Sequence, residues 1–281
     1  MQSEIPTLYL LHDAPEVEAA LRRNLGPTCR LRVVADWTTL REALKRCAPN
    51  SVVVVNPYLA ATPPGALSEQ LFRMLAQCPS SPVVVAFEVI PDRISDLRCL
   101  HQWGVADALD LGEELTSSGI LHRFAAVRHH RIRVVLKRAL PRSLPMRARA
   151  LITAAAEVVS DGGQTTDLAE RLQLTERTLL RWCLKSGLPQ PRRIFVWMRL
   201  LLAADMLCEG NRRSVAAVAR ACGYASDASL RHAFKAVVKT TPAEVKEKGA
   251  HATIALPFRD ELAKARAQAR AAARSPKSYL N

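Results

Sequence analysis

Residues 214–235 read SVAAVARACGYASDASLRHAFK. Apolar residues recur at helical spacing on both sides of Cys222-Gly223-Tyr224-Ala225-Ser226, yet a glycine and a serine stand between them. A serine at 226 can start a helix, its hydroxyl accepting a backbone N–H of the first turn, and Gly223 enters backbone conformations that other residues reach at a cost. The stretch therefore predicts a helix, a tight turn and a second helix. In the second, Leu230, Ala233, Phe234 and Val237 fall at i, i+3, i+4 and i+7 and form one buried face. The opposite face carries Ala228, His232 and Lys235, with Arg231 on its shoulder. A short exposed helix edged with basic residues and laid across a partner helix fits the major groove of B-DNA.

The arrangement occurs earlier too, at residues 165–187, TTDLAERLQLTERTLLRWCLKSG. Thr166 is the expected cap of its first helix and Thr175 of its second, with Leu174 entering the turn. Leu179, Trp182, Cys183 and Ser186 share the inner face, while Arg177 and Arg181 project from the outer one. Arginines one helical turn apart can address neighbouring guanines, each through a bidentate pair. Lys185, Lys235 and Lys239 are placed to meet phosphates. Between the units, RRIFVWMRLLLAADMLCEG (192–210) predicts a strongly apolar helix ended by Gly210. About 19 residues of helix span roughly 28 Å. The repeat of B-DNA is about 34 Å, so such a spacer can hold two reading helices in successive major-groove turns. A helical hairpin with a solvated basic face is the competing reading of either unit alone; the duplication favours DNA.

Charge points the same way. Up to Leu140 the chain has 16 Lys and Arg against 14 Asp and Glu, and beyond it 24 against 12, so the halves carry +2 and +12. A basic half of this kind suits a polyanion, nucleic acid before an anionic membrane. An apolar fraction of 49% over 281 residues allows two domains with real cores and excludes disorder throughout. Cysteines 29, 47, 78, 99, 183, 208 and 222 are scattered singly with no C-x-x-C pair, as in a reduced, cytosolic protein that uses thiols as small buried hydrophobes. The start MQSEIPTLYL lacks a signal-peptide pattern, and Arg199 and Asp205 interrupt the most hydrophobic later stretch, so no membrane span is expected.

Before residue 140 the pattern differs. From Thr7 to about Asp110, short apolar runs such as TLYLL, SVVVV and SPVVVAF alternate with helical segments. Val52 to Val55 and Val83 to Val85 are continuously apolar, as in strands buried on both faces of a parallel sheet. Five strands with intervening helices predict a flavodoxin-like α/β domain. A long helical pattern runs from about Ser118 to Leu140 and extends towards the next domain, its His129-His130 pair read as exposed basic surface. Pro141 and Pro145 bracket a basic linker. The expected organisation is an α/β domain over 1–140, a linker over 141–149, an all-α domain over 150–249 and a basic Ala-rich tail over 250–281. The tail's RDELAKARAQARAAAR reads as an exposed basic helix or arm with little apolar face.

Residues 150–247 resemble the DNA-binding domain of the AraC family of bacterial transcription regulators, in which a long helix joins two helix-turn-helix units. The strongest match is SVAAVARACGYASDASLRHAFKAVVKTTPAEV, with its alanine-rich helix, Gly-aromatic-x-Ser, Ala233-Phe234-Lys235 and Thr241-Pro242-x-Glu244. The resemblance implies base-reading positions at Arg177, Arg181, Ala228 and His232, with Arg231 beside them. Two departures, Ala228 and the Val238-Lys239 pair where the family has Phe-Gly, imply that the first unit carries more specificity. Residues 5–125 resemble a response-regulator receiver. There the positions that would hold Mg²⁺, accept phosphate and carry the switch hydroxyl and lysine read His12-Asp13, Asn56, about Phe87 and about Leu111. An amide oxygen at the phosphoacceptor position is a far poorer nucleophile than carboxylate, and half the metal-binding acidic pair is missing. The resemblance thus implies a non-phosphorylated pseudo-receiver.

The expectation is a cytoplasmic, sequence-specific transcription regulator that binds double-stranded DNA and uses no cofactor or metal. Its α/β half would pair two copies or receive a regulatory protein or small effector. The alternative is an interaction module that antagonises other regulators and touches DNA only non-specifically. No nucleophile elbow, phosphate-binding Walker loop, H-E-x-x-H or clustered Cys/His set points to an enzyme.

Overall fold

Valine-rich segments pair first with one another. In a computed structural model, which describes residues 6–26, 29–209 and 213–274, β1 (Thr7–Leu11), β2 (Arg30–Val33), β3 (Val52–Val55), β4 (Val83–Phe87) and β5 (Asp107–Asp110) form one parallel sheet. Its order is β2-β1-β3-β4-β5, with Val53 opposite Val83. Every residue of β3 and β4 is buried, which is why these strands lack polar alternation. The helices α1 (Pro15–Leu25), α2 (Trp37–Leu44), α3 (Glu69–Gln77), α4 (Ile94–Trp103) and α5 (Ser117–Val127) alternate with the strands. Leu40, Leu44, Leu71, Leu75 and Leu100 fill the core on one face of the sheet. Val17, Leu21, Ile120 and Phe124 fill the core on the other. The N-terminal half is flavodoxin-like, as the apolar runs indicate.

The remaining elements are helical: α6 (His130–Ala139), α7 (Met146–Ser160), α8 (Thr165–Arg171), α9 (Glu176–Lys185), α10 (Pro191–Cys208), α11 (Val215–Ala221), α12 (Asp227–Val238), α13 (Pro242–Lys248) and α14 (Leu256–Arg274). The 18-residue α10 is the axis of this half, about 27 Å long at 1.5 Å per residue. It buries Ile194, Trp197, Leu200, Leu201 and Met206 and packs against α7, α13 and the helices of both hairpins. Gly210, expected to end it, lies outside the described residues.

Four local expectations are corrected. The helical pattern from Ser118 to Leu140 is two helices, α5 and α6, separated at Arg128 and His129. Both side chains turn to Asp161: Arg128 Nε donates to Oδ1 at 3.0 Å and His129 Nε2 lies 3.0 Å from Oδ2. His129 is therefore buried against Asp161 and is not exposed basic surface. Thr166 does not cap α8; the helix starts at Thr165, two residues earlier than that cap would place it, and the backbone N–H of its N-cap, Gln164, donates to Asp167 at 2.7 Å. The tail is not a free arm at its start. Phe258 and Leu262 are fully buried in the helical core. Phe258 packs on Trp197, and Glu261 forms a two-pronged pair with Arg193 at 2.7 Å on each prong. Residues 275–281 lie outside the described residues.

Candidate nucleic-acid interface

The two hairpins share one turn geometry. After α8 the chain passes through Gln173 at φ 54°, and after α11 through Gly223 at φ 76°. In the first, Leu174 N–H returns to the Ala169 carbonyl at 2.8 Å; in the second, Tyr224 N–H returns to Ala219 at 2.9 Å. These long backward bonds satisfy carbonyls that a helix end leaves open. The next helix is then capped by a hydroxyl. Thr175 Oγ1 accepts from Thr178 N–H at 3.2 Å, and Ser226 Oγ accepts from Ser229 N–H at 3.1 Å. Behind the caps, Leu179 and Cys183 on α9, and Leu230 and Phe234 on α12, enter the common core. Burial pushes the Cys183 thiol up to about 11, which keeps it protonated and unreactive near neutrality.

The shared frame places the outward residues in register. Counted from their caps, Arg177 and Ala228 occupy the second position, and Arg181 and His232 the sixth. All four are exposed, as are Arg231, Lys185, Lys235 and Lys239. The face of α9 therefore presents two guanidiniums, whereas α12 offers a methyl and an imidazole at the matching points. Arg231 is 3.5 Å from Asp227 in a solvent-exposed pair, an interaction weak enough to exchange for another partner. Lys239 closes α12 in the left-handed region, its Nζ donating to the Ala236 carbonyl at 3.3 Å.

Two further cations stand beside α9. Arg192, in the first turn of α10, lines with Arg177, Thr165 and Gln190 an open groove of about 350 Å³. Arg147, at the start of α7, stacks over Trp182 with 4.5 Å from guanidinium to ring centre. Pro191 carries a sequence signal for the first, because proline favours the opening position of a helix and so puts Arg192 at its exposed end. The Arg147 contact joins elements too far apart in sequence for any periodicity to show it.

Asn56 lies in the other half, beyond the C-terminal end of β3. Its Nδ2 donates to Asp13 Oδ1 at 2.6 Å, and its Oδ1 accepts from Tyr58 N–H at 2.9 Å. That amide bond, with His12 adjacent, holds the Asp13 carboxyl below the usual carboxylate range. Phe87 is buried at the end of β4, and the segment after β5, LGEELT, has no lysine. Asp110 accepts the Val89 and Gly112 N–H groups at 3.1 and 2.9 Å. The edge is anionic and internally bonded.

Residues 168–248 match the family model of a helix-turn-helix domain, from within α8 to the end of α13. The match supports an AraC-type domain and a DNA-binding transcription regulator. None of the curated proteins matches the chain. Among the described residues, no helix is long and apolar enough to cross a membrane.

Proposed function

We propose that this chain is a sequence-specific regulator whose α9 and α12 enter successive major grooves of one duplex. What carries the reading is the repeated frame: the same turn, the same hydroxyl cap, and exposed residues at matching positions on both helices. Arg177 and Arg181 read bases, Arg231, His232 and Ala228 make weaker or apolar base contacts, and Lys185, Lys235 and Lys239 bind phosphates. At about 150 mM salt a specific reader prefers its site over random duplex by roughly a thousandfold or more. Arg181→Ala is expected to lose about 1–3 kcal/mol on the selected site and to relax preference at one base pair, while Lys235→Ala weakens binding to all sequences alike. Equal losses for both variants on selected and random duplex would refute this division of roles, and a wild-type chain without preference would favour the interaction module.

For the α/β half we infer a non-phosphorylated pseudo-receiver that pairs two copies through its later helices. The Asn56–Asp13 bond and the missing lysine support the first part; exposed Ile94 on α4 and Leu121 on α5 support the second. Stable phosphate on Asn56 or its neighbours after incubation with a small phosphodonor and Mg²⁺ would overturn the pseudo-receiver reading.

A further inference from the structure

The N-terminal ends of the strands, opposite the Asn56 edge, rest on the helical half. Cys47 and Asn50 precede β3, and Ser80 and Ser81 precede β4; all four are buried. They meet a largely buried set of charges, one of whose donors, Arg131 Nε, has no hydrogen-bond partner. Arg131 of α6, 1% exposed, donates from Nη1 to Asp205 Oδ2 at 3.0 Å and to Glu209 Oε1 at 2.5 Å, and from Nη2 to Ser81 Oγ at 3.0 Å. Ser80 Oγ donates to Asp205 Oδ1 at 2.9 Å. Arg213, 2% exposed, donates from Nε to Glu209 Oε2 at 3.2 Å and from Nη1 to the Cys47 carbonyl at 2.9 Å. Two cations thus face two anions, and each of the four carboxylate oxygens has a donor. Burial alone would weaken the charge on Arg131, yet Glu209 and Asp205 outweigh it and hold the guanidinium firmly protonated, while burial pushes the Asp205 carboxyl up against the pull of Arg131. A buried lattice of this kind resists displacement of any member, because the partner left behind would be an unpaired polar or charged group away from water.

Its place in the chain gives it a purpose. Arg213 immediately precedes Ser214, the cap of α11 and thus the entrance to the second unit, and Lys246 of α13 donates to the Arg213 carbonyl at 3.1 Å. The first unit has an equivalent anchor. Asp161, at the end of α7 and just before α8, is held by Asn50, Arg128 and His129. Glu157 ties Arg133 of α6 to Arg171 of α8. Each reading unit is entered from a residue fixed on the α5–α6 junction or on the base of the α/β half.

We propose that the base of the α/β domain, through Ser80, Ser81, Arg131, Glu209 and Arg213, positions the second helix-turn-helix unit against the first and so sets the half-site spacing the protein reads. This rests on the DNA-reading function above. Ser80, Ser81 and Arg213 are positioning residues; none lies on the exposed faces of α9 or α12.

The test compares full-length wild type with Ser80→Ala/Ser81→Ala and, separately, Arg213→Met. Hydrogen exchange without DNA is expected to quicken about tenfold in α11 and α12 while α8 and α9 keep their rates. Binding to a duplex carrying both half-sites is expected to weaken about tenfold, with the preferred spacing relaxed, while a duplex carrying only the first half-site binds as before. Unchanged exchange overturns the proposal. So does faster exchange spread evenly over the chain, and so does local loosening that leaves two-site binding and spacing intact. A wild-type chain with no preferred duplex would sink the regulator reading, yet the exchange rates would still decide whether the base holds the second unit.

Discussion

Lys239 offers one substitution with two effects of opposite sign. It ends α12 at φ 57° and ψ 29°, in the left-handed region. An L side chain held there costs about 1–2 kcal/mol, whereas glycine enters freely. Glycine in turn gives the unfolded chain extra freedom worth about 0.4–1 kcal/mol. The difference predicts that Lys239→Gly stabilises the protein by about 0.5–1 kcal/mol, or ~1–4 °C in Tm for a chain of this size. The exposed bond from Nζ to Ala236 returns little when lost. On DNA the same change removes a phosphate contact, so affinity should fall evenly across sequences and the slope of log K against log salt should shrink by about 1. Thermal unfolding of the free protein and binding titrations between about 50 and 200 mM salt read the two effects separately. Gln173→Gly is the control: it too is left-handed, at φ 54°, but has no assigned phosphate, so stability should rise while the slope stays put. A lower Tm for Lys239→Gly would refute the strain argument, and an unaltered slope would remove Lys239 from the phosphate contacts.

Phe258→Ala tests whether the start of the tail is core. Fully buried against Trp197, the ring should cost about 3–5 kcal/mol in urea unfolding when removed, where an exposed arm would lose almost nothing. Stability should also depend on pH through α6 and its neighbours. Burial, then Arg131 and Arg133, hold the His130 imidazole below its ordinary value. Its contribution is therefore present above the unfolded value of about 6.5 and is lost as pH falls from there through the lowered folded value. His130→Gln should flatten the drop in denaturation midpoint between pH 7.5 and 5.5; an unchanged profile would exclude this residue as its source. A second loss should follow below about pH 4. Burial opposes ionisation of Glu157 and Asp161, but Arg133 for the one and His129 for the other outweigh it, so their stabilisation fades only as pH falls through their lowered values.

The features legible in the sequence are those decided within one or two turns of chain. Val52 to Val55 could only be a strand buried on both faces, and Gly223 with Ser226 could only break a helix and restart it. The caps at Thr175 and Ser226 are local bonds, as the structure shows. Where a reading went astray, a distant partner had intervened. Arg128 and His129 lie in a helical pattern, but Asp161 draws both side chains out of it from more than 30 residues away. Ile254, Phe258 and Leu262 repeat every four residues, a visible apolar stripe, but the charge-rich run that follows hides it when the tail is read as one segment.

Asp205 shows how far local reasoning reaches. In the sequence it is an interruption in the most apolar helix of the chain, three residues before that helix ends. A carboxylate there must either reach water or find a cation, because burying it alone is prohibitive. The demand for a partner is therefore legible. The partner is not: Arg131 lies 74 positions upstream, in a helical pattern, and Ser80 125, just before a strand. Burial of the set needs both halves of the chain at once, since Ser80, Ser81 and Cys47 supply donors and an acceptor that no residue near Asp205 replaces. A charge pattern that makes sense only when two domains meet is a property of their junction. That is why the exposed arginines of α9 can be found from helical periodicity, while the residues proposed to aim α12 emerge only from the folded chain.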